Sequence, residues 1–252
     1  KDTILSEYRV FAAPLLRGPE EHPISCDEPI SALVRFHFHN DGNQSATVEL
    51  PIAYSTDSSR SVNALSFQET QDDYLVPQSP KEHLSVGDGI ITGSYRSTTL
   101  VRCAYESTME STADGDGGVL FAQNLEPGAD CELVLKIPFL APDDDERRGL
   151  QDLSYEKCLA DSRRFWSKEL STGAQVRTPV PHLNDLHTTH LSHVQISDFT
   201  MPNNPDLINT SVGTSTYGNF SNESCMIVQE MTQRGLFSEA RRRLELWIHY
   251  QG

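Results

Sequence analysis

Three histidines, His187, His190 and His193, recur every third residue with Asp185 close by, and imidazole with carboxylate is the usual donor set for a divalent transition metal. On a helix these three spread over about 120° of surface, and the tight i, i+4 histidine pair enclosing a general base is missing. They read as a polar helix edge with one ring packed inside, and no metal is expected. Asp114-Gly115-Asp116-Gly117 places carboxylates as a calcium loop would, yet it lacks the later ligands and terminal glutamate of an EF-hand, so it reads as a flexible turn. Ser224-Cys225 could supply a nucleophile, but no G-x-S-x-G elbow surrounds it and no histidine is near in sequence. Cys225 therefore reads as a buried helix residue. The other cysteines, Cys26, Cys103, Cys131 and Cys158, form no CxxC pair and no zinc spacing. They read as buried thiols, with room for one bridge.

These residues depend on two kinds of element. In Val34-Arg35-Phe36-His37-Phe38-His39 apolar and polar side chains alternate, which puts Val34, Phe36 and Phe38 on one face of a half-buried strand. Asn40-Asp41-Gly42-Asn43 is a turn, and Val48, Leu50 and Ile52 alternate after it, so the pair predicts a β-hairpin with Pro51 at an edge. Glu126 to Asp130 is another turn, followed by alternating Cys131, Leu133, Leu135, Ile137 and Phe139. Thr99 to Tyr105 and Val119 to Ala122 are shorter strand candidates. Many short strands between Gly, Pro and Asp turns predict an antiparallel β-sandwich over residues 1–142.

After the charged stretch Pro142 to Gly149, whose composition suits an exposed linker, the period becomes helical. Tyr155, Cys158, Leu159, Ser162, Phe165, Trp166 and Leu170 trace a linker helix stopped at Thr172-Gly173, so residues 143–178 read as linker plus linker helix. A second helix follows Pro179 and Pro181, with Leu183, Leu186, His190, Leu191 and Val194 along it, and ends at the loop Met201 to Pro205. A third runs from about Asn222 to Arg234, stopping at Gly235. A fourth follows Ser238 with Ala240, Leu244, Trp247, Ile248 and Gln251 on one face. Residues 179–252 thus contain a helical hairpin whose apolar stripes need covering, and the chain is expected to be a piece of a longer polypeptide or to dock on another subunit.

Composition narrows the partners. A formal charge of −16 repels nucleic acid, so a neutral, cationic or polyhydroxylated ligand is expected. Arg241, Arg242 and Arg243 fall within an amphipathic helix and read as a solvated face. No stretch approaches the roughly 18 apolar residues of a membrane span, and Lys1 opens no signal sequence, so a targeting segment is expected to be removed or never present. Sequons at Asn43, Asn209, Asn219 and Asn222 permit secretion without requiring it. An extracellular or periplasmic location is favoured over a cytoplasmic one, and the compartment stays open.

The order of parts adds a resemblance. A sandwich, a helix around Phe165-Trp166, the step Thr178-Pro179 into Leu183-Asn184-Asp185, the run Tyr217-Gly218-Asn219-Phe220-Ser221-Asn222-Glu223-Ser224 and a hairpin centred on Gly235 together resemble the six-hairpin glycosidases. In these glycoside hydrolases and phosphorylases a β-sandwich precedes an (α/α)6 barrel. The detailed match covers about residues 155–252. The resemblance implies a fold of β then α, with residues 179–252 as the first helices of such a barrel. It also implies that Tyr217, Asn222 and Glu223, with Ser224, contact a carbohydrate substrate. Asn222-Glu223 stands where the family commonly has Arg-Asp, so the usual charged clamp is replaced by an amide and a carboxylate. An aromatic face stacks on a sugar ring, and a carboxylate accepts hydrogen bonds from its hydroxyls.

The resemblance further implies glycosidic-bond hydrolysis without an organic cofactor, using acid and base carboxylates on later hairpins outside this chain, which would be inactive alone. The alternative is a non-catalytic carbohydrate-binding or assembly module. A third reading gives the sandwich a purely structural role at the mouth of a barrel.

Overall fold

The computed structural model describes residues 4–15, 29–53, 83–95, 98–114, 117–201, 204–211 and 219–251. It is β-rich and antiparallel through its first half and contains five helices after that. Two compact units divide between Ser162 and Arg163.

In the first unit the strands are β1 (Ile4–Pro14), β2 (Ile30–Asn40), β3 (Ala46–Ile52), β4 (His83–Gly87), β5 (Ile90–Tyr95), β6 (Thr98–Ser107), β7 (Glu110–Ala113), β8 (Val119–Leu125) and β9 (Asp130–Pro138). They form a six-stranded sheet in the order β1-β2-β9-β6-β5-β4 and a three-stranded sheet in the order β3-β8-β7. One hydrophobic cluster takes Leu84, Ile91, Cys103, Cys131, Leu133 and Leu135 from the larger sheet and Val48, Val119, Phe121 and Leu125 from the smaller. Burial of the Cys103 thiol among these side chains pushes its pKa up to about 12, against a weaker opposing pull from Lys136, so this cysteine stays protonated and inert.

The expected hairpin of Val34–His39 with Val48–Ile52 is not formed. β2 pairs with β1 and β9, whereas β3 pairs with β8 in the other sheet. The turn is instead a corner between sheets, and Asn40, with no exposed surface, holds it. Its Nδ2 donates to Gln44 O (2.8 Å) and Leu125 O (2.9 Å), its Oδ1 accepts from Gly42 N (3.0 Å), and its backbone exchanges bonds with Gly128 and Ala129. Both strands carry the alternation expected of them, but alternation reports a buried face and not the neighbour across the ladder. Pro51 does lie on an edge strand, β3.

The opposite face of the six-stranded sheet is also covered. Ala13, Leu33 and Val134 pack against Tyr155, Cys158 and Leu159 of α2 (Tyr155–Leu170), and Leu15 and Ala104 pack against Leu150 of α1 (Asp144–Asp152). β9 is therefore buried on both sides. Lys136, on its helix-facing side, is only 1% exposed and donates to Glu106 Oε1 (2.5 Å) and to Gln151 O (2.6 Å) in the last turn of α1. The Pro142–Gly149 stretch, expected as an exposed linker, is mostly α1. Asp143 caps it through Asp145 N and Glu146 N, and Glu146 Oε2 reaches back to Asp143 N, so the charges act as a capping box and a favourable first turn.

The second unit begins within α2 and contains α3 (Pro181–Ile196), a hairpin of β10 (Asp198–Met201) and β11 (Asn204–Thr210), α4 (Ser221–Gln233) and α5 (Phe237–His249). Of the loop expected at Met201–Pro205, Met201 ends β10 and Asn204 and Pro205 open β11, while Pro202 and Asn203 lie outside the described residues. Leu191, Val194, Val228, Met231 and Ala240 make the core, joined by Leu170 and Leu236. Gly173 closes α2 at φ +76°, where an added Cβ would lie 2.6 Å from Arg234 O, the acceptor for Ala174 N. Leu183 and Leu186 of α3 and Leu244 and Ile248 of α5 are exposed, so the apolar stripes expected to seek cover are present on the surface of this unit. The described helices do not close into a barrel, and none is long and apolar enough to cross a membrane.

Candidate functional site at the start of α4

The backbone turns into α4 at Phe220, whose side chain supplies no cap, so the first turn is organised by Asn219 and Ser224. Ser224 is buried, its hydroxyl donates to Asn219 Oδ1, and its amide donates to Phe220 O (2.9 Å). Asn222, on the same turn, is exposed. Glu223 is half-buried, and its Oε2 is sealed from solvent with no hydrogen-bond partner among the described residues. A carboxylate at a helix N-terminus is favoured by the dipole, but that interaction leaves a buried lone-pair atom unsatisfied. Tyr217, the third residue assigned to this site by resemblance, lies outside the described residues.

Beside this turn is the end of α5. A cavity of about 650 Å³ is lined by Asn219 together with Leu246, Trp247, Ile248, Tyr250 and Gln251. Sequence reasoning placed Trp247 and Gln251 only on an apolar helix face and did not single out Tyr250. The signal was available in Gly235, because an antiparallel hairpin turning there returns the end of α5 to the start of α4.

Three other carboxylates of this unit, Glu230, Asp198 and Glu239, are committed elsewhere. Glu230 Oε1 accepts from His190 Nδ1 (2.8 Å) and Arg234 Nε (2.9 Å). Burial pushes its carboxyl up, but the hydrogen bonds and charges of Arg234 and His190 outweigh that and hold it below its ordinary range. Asp198 is paired with Arg243, and Glu239 Oε2 lies 3.2 Å from Arg243 Nη1. Here desolvation wins over the neighbouring guanidinium, and the Asp198 carboxyl is raised. Arg243 is only 2% exposed, so the solvated face expected for the arginine run does not hold at its third member.

Two of the three histidines of the α3 series have side-chain partners. His187 Nε2 is 3.1 Å from Arg234 Nη1 and 3.3 Å from Ala174 O, His190 meets Glu230, and His193 is exposed. On the six-stranded sheet His39 Nδ1 is hydrogen-bonded to Asp130 Oδ1 at 3.0 Å, and His37 Nε2 lies 3.0 Å from the same oxygen. Among the described residues no histidine, cysteine and carboxylate group has metal-holding geometry. Asp114 Oδ1 accepts from the amide of Gly118 at 2.7 Å, and Gly115 and Asp116 of the expected turn lie outside the described residues. Cys225 is exposed, contrary to the buried helix position expected for it. Its side of α4 carries Met226, also exposed, and turns away from the Val228–Met231 core.

No protein-family model and no curated protein matches this sequence. The chemistry must be taken from the site itself. A free carboxylate oxygen, two amides and two aromatic side chains gathered around the α4–α5 ends can stack on a ring and exchange hydrogen bonds with hydroxyls, and they offer no nucleophile activated by a base.

Proposed function

We propose that the chain belongs to a carbohydrate-active protein of the six-hairpin glycosidase type. In this reading the two sheets are its β-sandwich, and α3 to α5 open an (α/α)6 barrel. Its reaction is hydrolysis of a glycosidic bond in an oligo- or polysaccharide, with acid and base carboxylates supplied mostly from outside these 252 residues. Supporting it are the β-then-α order and, above all, the unpartnered Glu223 Oε2 at the head of α4. A sugar hydroxyl donating to that oxygen would remove an unsatisfied buried acceptor. Tyr217 and Asn222 complete the substrate contacts in this reading, and no cofactor takes part.

A second reading, a non-catalytic carbohydrate-binding module, is favoured by one observation. Glycoside cleavage uses two carboxyl groups, and in this unit Glu230, Glu239 and Asp198 are held in ion pairs, so none of these three is free to act beside Glu223. Calorimetric titration of the chain with neutral oligosaccharides tests what the two readings share. Wild type should bind, and Glu223→Gln should weaken binding roughly tenfold, the loss expected when a charged acceptor becomes a neutral one. Unchanged affinity would remove Glu223 from the site. Release of reducing ends over time separates hydrolase from binding module.

A further inference from the structure

Resting on the carbohydrate reading, we infer that the cavity at the end of α5 is a subsite for one neutral pyranose ring, with Trp247 and Tyr250 as its aromatic walls and Asn219 and Gln251 as its hydrogen-bonding rim. The volume, about 650 Å³, lies within the range of small-molecule sites. Among the described residues the lining carries no acidic and no basic side chain, which selects against charged ligands, and the −16 formal charge further disfavours anions.

The lining divides by chemistry as a pyranose does. A sugar ring has an apolar face of C–H groups and an equatorial rim of hydroxyls. Trp247 and Tyr250 are 38% and 59% exposed, so aromatic surface is presented to solvent and stands to be covered. The Tyr250 ring is braced edge-on by His249, with centroids 4.8 Å apart and planes at 85°, which limits the side-chain freedom lost on stacking. Asn219 receives the Ser224 hydroxyl on Oδ1, which leaves its Nδ2 as a donor for a ligand oxygen, while the Gln251 amide offers both a donor and an acceptor. The Ser224–Asn219 bond also ties this subsite to the turn that carries Glu223, so a chain of sugars bound to one extends toward the other.

The test uses the 252-residue chain in a Trp166→Phe background, which leaves Trp247 as its sole tryptophan. Titration with cellohexaose, maltohexaose and mannohexaose, followed by emission and by iodide quenching, should shift Trp247 and protect it for at least one of the three. Tyr250→Ala, at an exposed position where folding is little disturbed, should weaken that binding about tenfold, and Trp247→Ala by calorimetry at least as much. Calorimetric binding with Trp247 emission and quenching unchanged, and with Tyr250→Ala at wild-type affinity, would overturn the subsite while leaving the carbohydrate reading intact. Absence of calorimetric binding for all three sugars would overturn both. Protection of Trp247 by the apolar dye ANS but by no sugar would show a cavity for apolar groups instead.

Discussion

Arg243 shows how much one residue can carry in a small helical unit. It is buried to 2% exposure, its Nη2 meets Asp198 Oδ2, and its Nη1 holds both the backbone and the side chain of Glu239. Burying two charges costs more than their attraction returns unless hydrogen bonds complete the set, so removing one partner is far worse than never having either. Arg243→Ala should therefore destabilise the chain by about 3–5 kcal/mol, the range for an orphaned buried charge. Arg243→Met with Asp198→Asn should recover a large part of it, because both charges are then gone. Urea unfolding of the three proteins checks this, and equal loss in the single and double variants would show that the pair is not the source. The sequence contained the arginine run but gave no reason to separate its third member from the other two. What buries Arg243 is a pair of strands, β10 and β11, that periodicity did not announce.

At the scale of elements, the helices were the legible part. Tyr155–Leu170 begins and ends where its apolar spacing and Gly punctuation place it, and Pro181–Ile196 begins as its prolines place it but stops ahead of the expected Met201–Pro205 loop, with β10 in between. Strand identity was legible too, through alternation in β2, β3 and β9, but strand partnership was not. The Asn40 turn illustrates why: its Asn-Asp-Gly-Asn composition suits a hairpin, yet Asn40 spends its side chain on Leu125 of β8 and Gln44, bridging sheets. Long-range acceptors of that kind leave no mark in the local pattern. Asn40→Ala should consequently cost about 2–3 kcal/mol, as expected when the carbonyls of Leu125, in a buried bond, and Gln44, in a half-buried one, lose their donor. Asp41→Ala, next to it and exposed, should stay within about 0.5 kcal/mol of wild type. Thermal and urea unfolding of both variants decide the matter, and a small loss for Asn40→Ala would mean that the corner is held by packing alone. Of the candidate site, Glu223 was reached only through the family resemblance, while the aromatic cavity beside it needed the hairpin to be closed.

For the molecule as a whole, stability against pH combines two carboxylates of opposite sign in the helical unit. Glu230 is held below its ordinary value of 4.5, so it binds its proton less readily folded than unfolded. Its contribution is present in full above 4.5 and is lost as pH falls through the folded value. Asp198 is raised above its ordinary value of 3.8, so its contribution runs the other way, present at low pH and lost as pH rises through its folded value. The two partly offset each other in acid, and the total slope understates both. Replacing one at a time separates them. Glu230→Gln should be less stable than wild type by roughly 1 kcal/mol at neutral pH, because the side chain is partly exposed and its ion pairs are screened. That gap should close progressively as pH drops below 4.5, since the wild-type carboxylate becomes protonated and loses what the amide never had. Urea unfolding of both proteins from neutral pH into acid measures the gap directly. A gap that stayed constant through the acid range would mean that Glu230 stabilises through packing and not through the charge it shares with Arg234 and His190.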